Sequence, residues 1–301
     1  MSDESPIVRF THVIAVGNQK GGVGKTTTCC HLAAAFGELG RRCLVWDLDM
    51  NHGATRHFGI PPETFLGTFE VLMGEEMPAD VIVTNDDEGV ELPLNVDLLS
   101  ARRNLEKIDH ALLTKSKFVF LQDVLIKPLR SLEGVYDYIF LDTAPNATTP
   151  TVAAYKAAKW FLLTAMPDPF AIAGLTDALH DIEDAQNNGN DELRLLGVLL
   201  AGVDKRTRLA NTLTSYVEET FTIDPTRSLK FETTISRSTV VPQAQKLGKT
   251  VLQTDSTHKV ADQYRALARE LEARIARIEG KGETEEAAQE PAQGVADGQA
   301  S

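Results

Sequence analysis

Apolar residues gather along this chain in short unbroken runs, spaced far enough apart for a helix between most neighbours. Val13 to Val16, Cys43 to Trp46, Val96 to Leu99, Tyr138 to Leu141, Trp160 to Leu163 and Leu195 to Leu200 are such runs. A run without polar alternation suits a strand covered on both faces, which is the environment of a parallel sheet. Between the first two runs, Lys25 to Leu39 predicts a helix with Gly40 as its stop, so the chain opens β, α, β. Ala171 to about Ala185 predicts another helix, closed by Asn187-Asn188-Gly189-Asn190. A last helix is expected over Thr257 to Glu279, where Val260, Tyr264, Leu267, Leu271, Ile275 and Ile278 form one apolar stripe. The expected fold class is therefore α/β, a mostly parallel twisted sheet with helices on both faces and ligands at the carboxyl ends of its strands. No boundary or repeat interrupts residues 10–279. We expect an N-terminal arm (1–9), one domain (10–279) and a disordered acidic tail (280–301) of Glu, Ala and Gln.

Composition narrows the classes. The 301 residues are 43% hydrophobic, ample for a core. Cys29, Cys30 and Cys43 are odd in number and two are adjacent, so no disulfide framework is expected, only small buried thiols. No stretch approaches the roughly 18 apolar residues of a membrane span, and Met1 to Pro6 is polar, unlike a signal peptide. The expected location is cytoplasmic, with no membrane partner. A net charge of −13 speaks against nucleic acid until its distribution is considered. Residues 1–200 hold 16 basic and 28 acidic side chains, whereas residues 205–249 hold 8 basic and 4 acidic. Lys205, Arg206 and Arg208 share a loop, and Arg237 and Lys246 follow. With few aromatics nearby for base stacking, phosphate contact with duplex DNA is the functional reading of these cations. An ordinary solvated face is the alternative.

The candidate chemistry begins at the end of the first run. Asn18-Gln19-Lys20-Gly21-Gly22-Val23-Gly24-Lys25-Thr26-Thr27-Thr28 joins a strand to a helix. Glycines there turn backbone N–H groups toward an anion, the helix start adds its positive end, and Lys25 and Thr26 supply a phosphate-binding charge and a hydroxyl for Mg²⁺. This is a triphosphate cradle of the P-loop NTPase type, with Gln19 where the strict motif has its first glycine. Downstream, Cys43 to Trp46 runs into Asp47-Leu48-Asp49, which puts two carboxylates on one face at a strand end. Mg²⁺ and an attacking water would meet the cost of burying them. Tyr138 to Leu141 delivers Asp142 in the same way, a natural holder of Mg²⁺ through water.

These stretches resemble the ParA/Soj family of deviant Walker A partition and positioning ATPases from about residue 10 to 275. The matching segments are NQKGGVGKTTT, DLDMNHGAT (47–55), YDYIFLDTAPNAT (136–148), PDPFAIAGL (167–175) and VDKRTRLA (203–210). The resemblance implies a Mg²⁺-dependent ATPase that sandwiches ATP in a homodimer, binds nonspecific DNA over the nucleoid, and is triggered by a ParB-like adaptor. It implies that Lys20 reaches across the dimer to the partner's phosphates and that Gly21 lies at that interface. Gly22, Val23, Gly24, Lys25, Thr26 and Thr27 would hold the nucleotide, Asp49 would position the attacking water, and Asp47 and Asp142 would serve the metal. Departures from the family pattern also stand out. Asn51-His52-Gly53 replaces the usual Gln-Gly-Asn, Ala144 replaces a common proline, and Val240 falls where an arginine often touches DNA. A MinD-like membrane-cycling ATPase would want an amphipathic basic C-terminus in place of the acidic tail. An ATP-dependent scaffold or positioning ATPase for a protein cargo stays open.

Overall fold

The computed structural model describes residues 10–115, 120–224 and 227–288. The expected arm (1–9) and residues 289–301 of the expected tail lie outside the described residues. Six strands, β1 (His12–Gly17), β2 (Cys43–Asp47), β3 (Val96–Leu99), β4 (Tyr138–Asp142), β5 (Trp160–Ala165) and β6 (Arg194–Leu200), form one sheet in the order β3-β2-β4-β1-β5-β6. Every pairing in it is parallel. Each expected run is a strand, extended by a residue or two where polar ends continue the ladder.

Successive residues of β1 serve opposite cores: Ile14 and Val16 pack on one face and Ala15 on the other. That is the period-2 consequence of covering both faces, and it explains why the run shows no polar alternation. The first core is built with helix α1 (Lys25–Glu38), through Leu32 and Phe36, and with the final helix, through Tyr264, Leu267 and Leu271. Leu175, Ile182 and Leu213 cover the opposite face. They come from the helices Ala171–Asn187 and Arg208–Thr220.

Two readings of the chain need correction. Arg208, expected in a loop, is the first residue of the helix Arg208–Thr220, whose Thr207 hydroxyl accepts from the Ala210 N–H at 3.3 Å. The polar face of this helix hides its buried residues Ala210, Leu213 and Val217 from a search for apolar runs. The final helix spans Lys259–Ala288 and so passes the expected stop at Glu279 into the expected tail. Among the described residues no helix is long and apolar enough to cross a membrane.

Candidate nucleotide site

The Gly-rich loop leaves β1 and turns into α1 with Gly22 at φ 73° and Gly24 at φ 89°. These are left-handed conformations in which a side chain is strained. A Cβ on Gly21 would meet nothing within 4 Å, so inside one chain the space beside it is open. Asn18, fully buried, pins the loop: its Nδ2 donates to the Thr164 carbonyl of β5 at 2.8 Å, and its Oδ1 accepts from the Lys20 N–H at 2.9 Å. Lys25 lies inside the loop, donating to the carbonyls of Asn18 (3.1 Å) and Lys20 (3.0 Å). Burial lowers its pKa while Asp142 and Asp49 oppose that shift, as expected of an ammonium facing carboxylates in a closed site.

The carboxylates arrive together because β2 and β4 pair with Asp47 opposite Asp142. Asp47 is fully buried, and its two oxygens accept from the Thr55 N–H (2.8 Å), the Thr55 hydroxyl (2.7 Å) and the Asp49 N–H (3.2 Å). It thereby fixes the loop into the short helix α2 (Gly53–His57). Burial raises its pKa to about 7 despite those bonds. Asp142 is equally buried, its Oδ2 has no hydrogen-bond partner among the described residues, and burial followed by the nearby Asp47 pushes its pKa well up against the opposing pull of the Thr26 side chain. A carboxylate oxygen left bare in the interior costs free energy, and a divalent cation is the partner that would remove the cost.

The Thr26 hydroxyl belongs to the same corner, because a Cβ on Gly53 would come within 2.7 Å of Thr26 Oγ1 and 3.5 Å of Asp142 Oδ2. Thr26, Asp142 and, through its hold on the loop, Asp47 therefore fit a Mg²⁺ ion. Asp49 is buried too, its Oδ1 accepting from the Asn51 N–H and Nδ2, both at 2.9 Å. His52 next to it adopts φ 57°, which explains why the family pattern favours glycine there, and Gly53 supplies the close approach one residue later.

Gly21 to Thr27, Asp49, Asn51, Pro145 and Met166 line an open cavity of about 320 Å³. Lys20 is not among its lining residues. Its ammonium contacts Asp168 and lies 5.6 Å from the centre of the Phe170 ring. The Thr27 hydroxyl accepts from Gln245 Nε2 at 3.2 Å, and the same Nε2 contacts His57 Nδ1 at 3.3 Å. Asn18, Gly53, Thr55 and Asp168 are thus residues of the site to which sequence reasoning gave no role. Only Asn18 carried a local signal, a polar side chain directly after a buried strand.

The five candidate DNA-binding cations are all exposed. A bridge between Val203 and Ser236, with the Arg237 N–H donating to the Val203 carbonyl at 3.1 Å, sets Arg237 beside the Lys205-to-Arg208 segment. Arg206 is already engaged by Asp204 through two bonds of 2.9 and 2.8 Å. Lys246 ends the next helix, Val240–Lys246. Cys29, Cys30 and Cys43 are buried and unpaired, and burial pushes all three thiols up, away from reactivity.

Comparison with known proteins supplies the family and the fold. A family model described as an AAA domain matches residues 11–195. The chromosome-partitioning ATPase Soj of Thermus thermophilus is 34% identical over 262 residues, 87% of this chain and 96% of that protein. Among solved structures, cobyrinic acid a,c-diamide synthase of Mycobacterium smegmatis, with bound ADP and magnesium, is 28% identical with a TM-score of 0.69, covering 86% of this chain and 93% of that one. The septum site-determining protein MinD of Pyrococcus horikoshii, complexed with Mg-ADP, shares the fold at 22% identity and a TM-score of 0.67, covering 87% and 96%. A phosphate loop on β1, paired carboxylates ending β2 and β4, and this likeness over most of the chain lead to one conclusion: the chain belongs to the ParA/Soj family of partition and positioning ATPases.

Proposed function

We propose that this ATPase works as a switch: with ATP and Mg²⁺ it forms a homodimer that holds nonspecific DNA over the nucleoid, and hydrolysis to ADP and phosphate releases both contacts. The observation that carries the reading is Lys20, a second lysine in the phosphate loop that does not line its own cavity. A charge so placed can serve a phosphate bound by a second copy.

Within one chain, Lys25 and the loop N–H groups would neutralise the phosphates, and Thr26, Asp142 and Asp47 would hold a Mg²⁺ ion that would add its positive charge there. Asp49, which lines the cavity, would orient the attacking water. Catalysis of this kind is mostly positioning and charge neutralisation, so Lys20 arriving from a partner would complete it. Lys205, Arg206, Arg208, Arg237 and Lys246 would supply the DNA surface, and a ParB-like adaptor would trigger turnover.

Lys20→Ala tests the core of this: nucleotide binding should persist while hydrolysis and ATP-dependent dimerisation are both lost, and unchanged turnover would refute it. DNA binding with a nonhydrolysable ATP analogue should weaken steeply with salt, by a slope of about −0.9 per phosphate neutralised, and Arg237→Ala should flatten that slope. No DNA binding at low salt would instead favour positioning of a protein cargo. The engagement of Arg206 by Asp204 and the apolar Val240 are the features that support that second reading.

A further inference from the structure

Lys20 is held at home by more than one contact. Its ammonium meets the Asp168 carboxylate and sits by the face of Phe170. Asp168 does not dangle: its Oδ1 accepts from the Phe170 N–H at 2.7 Å, and Pro167 and Pro169 stiffen the loop on either side. Burial pushes the Asp168 carboxyl up, but the bonds from Lys20 and the Phe170 N–H together with the Lys20 charge outweigh it and keep that carboxyl below its usual range. The backbone end is fixed as well, because the Lys20 N–H donates to Asn18 Oδ1. Gly174 on the following helix makes room for this packing, since a Cβ there would lie 3.0 Å from Asn18 Oδ1 and 3.5 Å from Lys20 Cβ.

One ammonium cannot occupy two sites. We propose that Asp168 and Phe170 form a dock that competes with the partner's phosphates for Lys20, and so set the protein concentration at which the ATP dimer forms. This rests on the reading of Lys20 given above. Asp168 is a positioning residue here: it acts on the reaction only through Lys20. Its carboxylate is about a quarter exposed (27%), so solvent screening keeps the contact modest. Such a pair is worth about fivefold in an equilibrium, and a dimer must undock two of them, giving about 25-fold.

The experiment measures the dimer dissociation constant of the full chain by sedimentation, with Mg²⁺ and a nonhydrolysable ATP analogue. Asp168→Asn should dimerise at about 25-fold lower concentration, Asp168→Glu should return toward the starting value, and Phe170→Ala should move in the same direction as Asp168→Asn. The concentration giving half-maximal specific ATPase activity should fall in parallel. In a Lys20→Ala background, Asp168→Asn should change nothing further. An unchanged or weakened dimer in Asp168→Asn, with Lys20→Ala still impaired, overturns the dock and leaves the role of Lys20 standing. Dimerisation by Lys20→Ala at the original concentration overturns the role of Lys20 itself.

Discussion

Gly53→Ala isolates the metal corner. Judged by helix propensity alone, alanine in the first turn of α2 should stabilise by up to about 1 kcal/mol. The surroundings say otherwise. The new methyl would lie 2.7 Å from Thr26 Oγ1 and 3.2 Å from Thr26 Cγ2, where ordinary contact begins at 3.4 Å. Both branches of Thr26 crowd the same point, so relief requires Thr26 to turn to its other helical rotamer. The hydroxyl must therefore leave the position from which it would ligate Mg²⁺. Losing one such bond to a charged partner costs about 1.5–3 kcal/mol, which is about 10- to 100-fold in affinity. The assay is fluorescence anisotropy of a labelled ATP titrated with and without Mg²⁺. Binding in EDTA should change little, and the gain on adding Mg²⁺ should shrink by that factor. Thr26→Ala should do the same, and the double variant should be no worse than Thr26→Ala alone. A full Mg²⁺ gain in Gly53→Ala would refute this assignment of Thr26.

Two further outcomes concern stability. Asp47 has a native pKa raised from 3.8 to about 7, so the native state binds more protons than the unfolded chain across that interval, and stability falls as pH rises through it. Below pH about 6.5 the buried His31, lowered to about 4, acts in the opposite sense, so the clean window runs from about 6.5 to 8. There Asp142, also pushed well up, acts in the same sense as Asp47, so the nucleotide-free protein should lose at least about 1 kcal/mol by urea titration, and Asp47→Asn should reduce the dependence; a rise in stability over that window would contradict it. Gly248→Ala should be costly, because at φ 69° its Cβ would come within 2.7 Å of the Gly59 Cα, backbone that has no rotamer to change. Strain and overpacking together predict about 2–4 kcal/mol. Gly40→Ala, with similar φ and open space, should lose only the backbone part, and equal urea midpoints for the two would show that the glycine contact is unimportant.

The sheet was legible because burial on both faces writes itself into the chain as unbroken apolar runs. The loop was legible because phosphate binding needs glycines, a lysine and a hydroxyl at adjacent positions. What the chain hid are pairings across long sequence separations. Asn18 meets Thr164, Lys20 meets Asp168 and Gln245 meets Thr27, and none of these follows from local spacing. Asp47 shows the same limit: its chemistry was visible, yet its bonds to Thr55 turn it toward holding the loop into α2. The helix Arg208–Thr220 was masked by its polar face, so Arg208 looked like one more loop cation.

The register of the sheet bears on how such a chain can vary. Val16 of β1 and Asp47 of β2 both stand opposite Asp142 of β4, so the phosphate loop and both carboxylates leave the sheet at one level. A residue inserted into any of these three strands would advance everything after it by about 3.3 Å and turn each side chain to the other face. Asp142 would be replaced at its post by a leucine. An insertion between β2 and β3 beyond the Asp49-to-Thr55 segment that Asp47 holds, or between β3 and β4, disturbs no such alignment. The molecule therefore divides into three central strands whose length is fixed to the residue and more distant connections that can lengthen without moving the site.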